Sequence, residues 1–307
     1  MISTARQILQ PFVTYAFYPM MLIITGAVSY ISLEAGWAPV AILTWFAGFR
    51  FVTLLGTEFL FPAKAEWKMT WGSFWRDIKY AVVNIAVLRG GSFLIALLAL
   101  DLAVDNPGLL PDAPFIVGLV ATGLVYEFFQ YWFHRLNHEG PGKLGAFLWK
   151  MHAAHHLPDK VYLVMHGVMH PMNAIANTAI SSGIILLMGA SAEALLVLMM
   201  FRGLHGWMTH FNVDIRAGFL NYIFAGTELH RYHHSADFSE AKNYGSFLII
   251  WDLVFGTFVY KPGKLPERLG VDDAVAYPES NEILKVLALP FKKNEPTPAA
   301  KPSPEQV

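Results

Sequence analysis

Long apolar runs alternate with short charged turns along the chain, and the runs set the expected architecture. A helix crosses the hydrocarbon core of a bilayer with about 20 mainly apolar residues. Four runs of that length precede the first histidine, at 11–33, 38–61, 80–104 and 114–133. Arg50 and Arg89 interrupt two of them. A charge at membrane depth is costly, so both are expected near an interface or against protein, their stems covering apolar surface. Two further runs, 172–189 and 192–208, are apolar but short, and hold Gly, Ser and Asn between them. They are expected to form a thin membrane hairpin or a re-entrant pair. The pattern predicts an all-α polytopic membrane protein with about four to six transmembrane helices.

The charged turns orient these spans. Loop 62–79 carries Lys64, Lys68, Arg76 and Lys79, whereas the turns near 32–37 and 105–113 have neither Lys nor Arg and hold Glu34, Asp105 and Asp112. By the positive-inside rule the loop is cytoplasmic, and so is the N-terminus. Two spans later the chain emerges on the same side at His134. The first run is too long for a cleaved signal and reads as a retained span. The closing "KKNEPTPAAKPSPEQV", from Lys292, reads as a disordered tail. The expected divisions are an N-terminal pair of spans with its loop over 1–79, a catalytic unit over 80–265, and a C-terminal extension over 266–307.

Composition narrows the class. The chain is 55% hydrophobic and 15% charged, against about a quarter charged in soluble domains. A net charge of -1 gives no reason to expect nucleic acid. Cysteine is absent, which excludes disulfides and thiolate metal sites. Nine Trp suit membrane interfaces.

All twelve histidines lie between positions 134 and 234. They form "HRLNH" (His134, His138), "HAAHH" (His152, His155, His156) and "HRYHH" (His230, His233, His234), with His166, His170, His205 and His210 between. Residues at i, i+3 and i+4 share a helix face, so each cluster is expected to aim its imidazoles in one direction. Neutral imidazole binds iron, zinc or copper. Eight clustered imidazoles exceed the needs of one tetrahedral zinc and suit two metal ions with open positions. Zinc-protease and carboxylate-bundle patterns do not fit: neither triplet has Glu after its first histidine, and no acid stands three residues before a histidine.

These segments, with "YWFHRLNHE", "ELHRYHHS" and "NYGSFLIIWDLVFGTF", resemble the fatty acid hydroxylase / sterol desaturase superfamily of membrane di-iron enzymes. The resemblance covers about residues 120–260, so 1–79 look like an added pair of spans. It implies that His134, His138, His152, His155, His156, His230, His233 and His234 are metal ligands in a cytoplasmic histidine-rich di-metal helical domain. His210 in "THFNV" and His170 in "MHPMN" resemble further family histidines and join that ligand set, while His166 and His205 match less well. Glu127, two helical turns before His134, is a candidate to orient a ligand histidine. Asn243, Tyr244, Gly245 and Asp252 match the family's closing segment as structural support, with Asn243 also a candidate beside the site.

The resemblance further implies two iron ions, O2 as co-substrate, and a lipid substrate reached from the bilayer. No "HPGG" haem motif or dinucleotide-binding glycine pattern is present, so electrons are expected from a separate protein. Lipid hydroxylation is the leading expectation. Desaturation or sterol methyl oxidation on the same scaffold is the alternative, and the family also includes an ether-lipid cleaving monooxygenase. The alternative of another class is a membrane metal transporter or metal-binding protein; a transporter needs polar ligands within its spans, and the first 133 residues hold no histidine. The expected location is a bacterial inner membrane.

Overall fold

The computed structural model describes residues 4–103 and 107–292. The expected tail therefore lies, past Lys292, outside the described residues, as does Val104 at the end of the third expected span. Among the described residues there is no β-strand, and eleven α-helices carry the fold. They are α1 (Thr4–Tyr15), α2 (Phe17–Glu34), α3 (Pro39–Leu60), α4 (Trp71–Ala103), α5 (Phe115–Glu139), α6 (Gly142–His156), α7 (Pro171–Met188), α8 (Ala192–Met208), α9 (Thr227–His233), α10 (Ile250–Val254) and α11 (Ile283–Ala288). Of these, α2, α3, α5 and α7 are long and apolar enough to cross a membrane.

Their faces are those of membrane helices. Ile23, Val40, Trp45, Val52, Ile116 and Val120 are exposed. The buried side of α2 instead carries Thr25, Ser29 and Ser32, whose hydroxyls donate to the carbonyls of Met21, Thr25 and Val28. Small polar residues inward and large apolar residues outward suit a bilayer, where lipid is as apolar as leucine. Arg50 lies against protein, as expected: it is buried, donates to Met200 O and stacks on Phe46. Arg89 is exposed on α4.

The first expected span is two helices. The chain breaks at Ala16, between α1 and α2. Pro19 has no N–H to give Tyr15 O, and its ring crowds that carbonyl.

α2 and α3 pack on α8, and α5 packs on α6, α7 and α8. One core cluster joins Val13, Phe17 and Met21 to Leu54, Leu204, Met208, Phe211 and Val213, so the N-terminal helices rest on the chain around His210. The C-terminal extension folds back onto α6, with Val271, Tyr277 and Leu289 packing on Trp149 and Ala153.

Candidate metal centre

Helical geometry decides where each imidazole goes. Successive residues are about 100° apart around a helix, whereas i and i+4 nearly eclipse. The i, i+4 pair His134 and His138 on α5, and the pair His152 and His156 on α6, therefore stay together. With His233 of α9 they form one group of five, whose nitrogens lie within 4.8 Å of one another. His155, His210, His230 and His234 form a second group of four on the same criterion. The expectation that each triplet aims all its imidazoles one way is thus corrected. Each triplet straddles both groups, because adjacent residues such as His155 and His156 face different sides.

The ring nitrogens are arranged in one sense. His134 Nδ1 donates to Tyr244 O at 2.8 Å, His155 Nδ1 to Val168 O at 2.8 Å, and His233 Nδ1 to Lys242 O at 3.0 Å. A carbonyl only accepts, so the proton resides on Nδ1 and Nε2 presents a lone pair. The Nε2 atoms then converge. His134 and His152 stand 3.0 Å apart, His152 and His156 3.1 Å, and His156 and His233 3.1 Å. In the second group His210 is 2.9 Å from His155, 3.0 Å from His230 and 3.1 Å from His234.

A transition metal fits this donor set. Imidazole nitrogens about 2.1 Å from an ion and at right angles stand about 3.0 Å apart. A shared proton could relieve one pair of lone pairs, not a whole group. His138 points the same way, both of its ring nitrogens being buried without a hydrogen-bond partner. Burial, with repulsion from neighbouring imidazoles, holds His152, His156, His210, His230, His233 and His234 well below the ordinary imidazole pKa. It pushes His155 down to about 4. The rings are therefore neutral, the state in which imidazole ligates.

The remaining candidates fall around the centre. His170 is apart from both groups: it caps α7, its Nδ1 accepting from Met172 N at 3.1 Å, while Nε2 meets Leu287 O at 3.2 Å. His166 packs on His210, ring centroids 5.1 Å apart, and is pushed down to about 4 by burial. His205 is engaged by Tyr18 OH at 2.7 Å and Phe201 O at 2.8 Å. Glu127 touches no histidine here; it accepts from Ser246 N and Oγ at 3.0 and 2.9 Å. Asn243 sits between the two carbonyls that hold His233 and His134, and Asp252 fixes the same turn by accepting from Tyr244 N and Gly245 N. No side chain fits at Gly245, where a Cβ would come 2.4 Å from Leu248 O.

A cavity of about 610 Å³ reaches the histidines from between α5, α7 and α8. Leu88, Phe133, Met199 and Trp207 make its walls apolar, and Tyr126, Gln130, Asn177, Ser181 and Arg202 give it a polar stripe. Sequence reasoning missed Glu58 and Arg231, which hold the backbone around His210. An acid ending an apolar run was the available signal for Glu58. The carbonyls of Val168, Lys242 and Tyr244 had no signal, since every residue type has one.

Four membrane-type helices together with two adjoining polyhistidine groups define a membrane-type protein with a candidate metal centre. Residues 119–257 match the family model described as fatty acid hydroxylase. The ornithine lipid hydroxylase OlsE of Rhizobium tropici is 32% identical over 245 residues, covering 77% of this chain and 71% of that protein. Human alkylglycerol monooxygenase is 31% identical over 133 residues, 43% of this chain and 28% of that one; the zebrafish (Danio rerio) protein of the same name is 31% identical over 136 residues, 44% of this chain and 29% of that one. The chain belongs to the fatty acid hydroxylase family. Its relatives are lipid hydroxylases and monooxygenases. No solved structure matches it.

Proposed function

We propose that this chain is an integral-membrane di-iron lipid hydroxylase, inserting one oxygen atom of O2 into a C–H bond of a lipid. The observation that carries the reading is the convergence of nine histidines into two neutral groups at the end of one cavity. His134, His138, His152, His156 and His233 would hold one ion, and His155, His210, His230 and His234 the other. Bound iron would supply O2 activation; the protein supplies placement and exclusion of water. The carbonyls of Tyr244, Val168 and Lys242 keep the Nδ1 protons in place, so each Nε2 is ready as a donor. The cavity seats the lipid, its apolar walls taking hydrocarbon and its stripe of amides and Arg202 taking polar groups. Likeness to an ornithine lipid hydroxylase makes an acylated amino acid the first lipid to test. Two electrons come from a separate electron-transfer protein. The histidines face the cytoplasm of a bacterial inner membrane.

A lipid mass profile of cells making the wild type, beside cells making His233→Ala, tests this. A lipid gaining one oxygen with the wild type alone is the expected result. A lipid that has lost two hydrogens would mean a desaturase. Identical profiles, with both metals present and a competent reductant supplied, would overturn the enzyme reading.

A further inference from the structure

Glu58 ends α3 inside protein, in a run otherwise almost free of charge. Its Oε2 accepts two main-chain N–H bonds, from Leu163 at 2.9 Å and from Asn212 at 2.8 Å. These amides lie on two different approaches to the four-histidine group. Asn212 follows His210 by two residues. Leu163 opens the short turn Leu163–Gly167, and the next residue, Val168, is the acceptor for His155 Nδ1.

The segment after Glu58 extends the grip. Ala63 N donates to Asn212 O at 2.8 Å. The Asn212 side chain accepts from Lys64 N at 3.1 Å and donates to Lys64 O at 2.9 Å. From the other side Arg231, buried within the third histidine triplet, donates to the carbonyls of Phe211 and Val213. The stretch bearing His210 is therefore held between residues 58–64 and Arg231. A carboxyl group suits the position, because one oxygen can accept both amides. The five-histidine group is oriented elsewhere, by the carbonyls of Lys242 and Tyr244.

We infer that Glu58 is a positioning residue for the four-histidine metal site. Through Asn212 it fixes His210, and through Leu163 it fixes the acceptor that orients His155. The N-terminal helices, which lie outside the segment matched by the family model, thereby complete one metal site of the pair. The inference rests on the two-metal reading above.

The test uses the full-length protein in detergent, stripped of metal and titrated with Co(II), whose visible absorption reports ligation. The wild type should take up two Co(II). In a His138→Ala/His156→Ala/His233→Ala background, which leaves the five-histidine group only His134 and His152, the four-histidine site remains, and adding Glu58→Ala should weaken it 10- to 100-fold, the range for loss of a group supporting metal ligands. In a His210→Ala/His234→Ala background, which leaves the four-histidine group only His155 and His230, the five-histidine site remains, and adding Glu58→Ala should leave its affinity unchanged. Glu58→Gln, which keeps an oxygen for both amides, should rescue most of the loss. If Glu58→Ala does not fold, Glu58→Asp, one methylene short of the amides, replaces it with the same expected asymmetry. Equal weakening of both sites, or of neither, overturns the inference. A wild type that binds fewer than two Co(II) overturns the two-metal reading, and this inference with it.

Discussion

Asn243 holds a left-handed backbone with φ 62°, a conformation costing most L-residues about 1–2 kcal/mol. Its side chain donates to Leu229 O at 2.9 Å and Val259 O at 2.8 Å, and accepts from Val259 N at 2.8 Å. Both neighbours in sequence offer their carbonyls to histidines of the five-histidine group, His233 and His134. Asn243→Ala loses three buried bonds and strains the turn, so it should destabilise by about 2–4 kcal/mol and weaken the five-histidine site. Asn243→Gly restores the turn but not the bonds and should fall between. Thermal unfolding in detergent checks the order; an Ala variant as stable as the wild type contradicts it. The match of "NYGSF" to the family's closing segment marked the residue, but its role needed the fold, because its partners lie 14 and 16 residues away. The histidines also set a pH response. Burial moves His155 and His166 from the ordinary 6.5 down to about 4. Between those values the unfolded chain binds more protons than the folded one, so acid favours unfolding. The metal-free protein should be insensitive to these groups above pH 6.5 and lose stability as pH falls from 6.5 toward 4. A melting temperature that rises on acidification through that window would contradict the assignment.

Among the elements, the α7–α8 hairpin was legible in outline, and its closure was not. Gly189 turns the chain with φ 61°, and a Cβ there would lie 2.0 Å from Pro107 O. The segment before α5 docks on the same turn, Leu109 N donating to Leu187 O at 2.9 Å and Leu110 N to Met188 O at 2.8 Å. Gly189→Ala should therefore cost more than the roughly 1–2 kcal/mol of the left-handed turn alone, read as a lowered melting temperature. A loss of about 1 kcal/mol or less would mean that the docking yields easily. The break between α1 and α2 was not read from the sequence: Pro19 marks it, but the hydropathy of 11–33 runs straight through, since a proline interrupts hydrogen bonding without interrupting apolarity. The i, i+4 pairing of histidines was legible too. Their division between two groups follows from the 100° step, yet which helices face each other across the centre is a matter of packing.

For the whole molecule, the apolar pattern identified membrane-type helices because bilayer thickness imposes a length on them. Orientation rests on charge in the loops, and the absence of cysteine makes a clean test available. Lys68 is exposed between α3 and α4. In a Lys68→Cys variant the introduced thiol should be protected in intact cells from a membrane-impermeant maleimide, and should react once the membrane is opened. Labelling in intact cells would invert the orientation. The packing of α2 and α3 on α8 was hidden from the sequence, because two lipid-facing helices look alike whether they stand apart or lean on a neighbour.

Three of the grouped histidines, His155, His233 and His134, take their aim from the peptide carbonyls of Val168, Lys242 and Tyr244. A peptide carbonyl survives replacement of the side chain beside it. Libraries that randomise positions 168 and 242 within their steric limits should therefore yield many variants that still load metal. Changing the orientation of these imidazoles by mutation will be hard at these points, because the orienting group belongs to every amino acid. If the proposed reading holds, changes of lipid selectivity are to be sought at the cavity walls, at residues such as Met199 that are not among the carbonyls orienting the histidines.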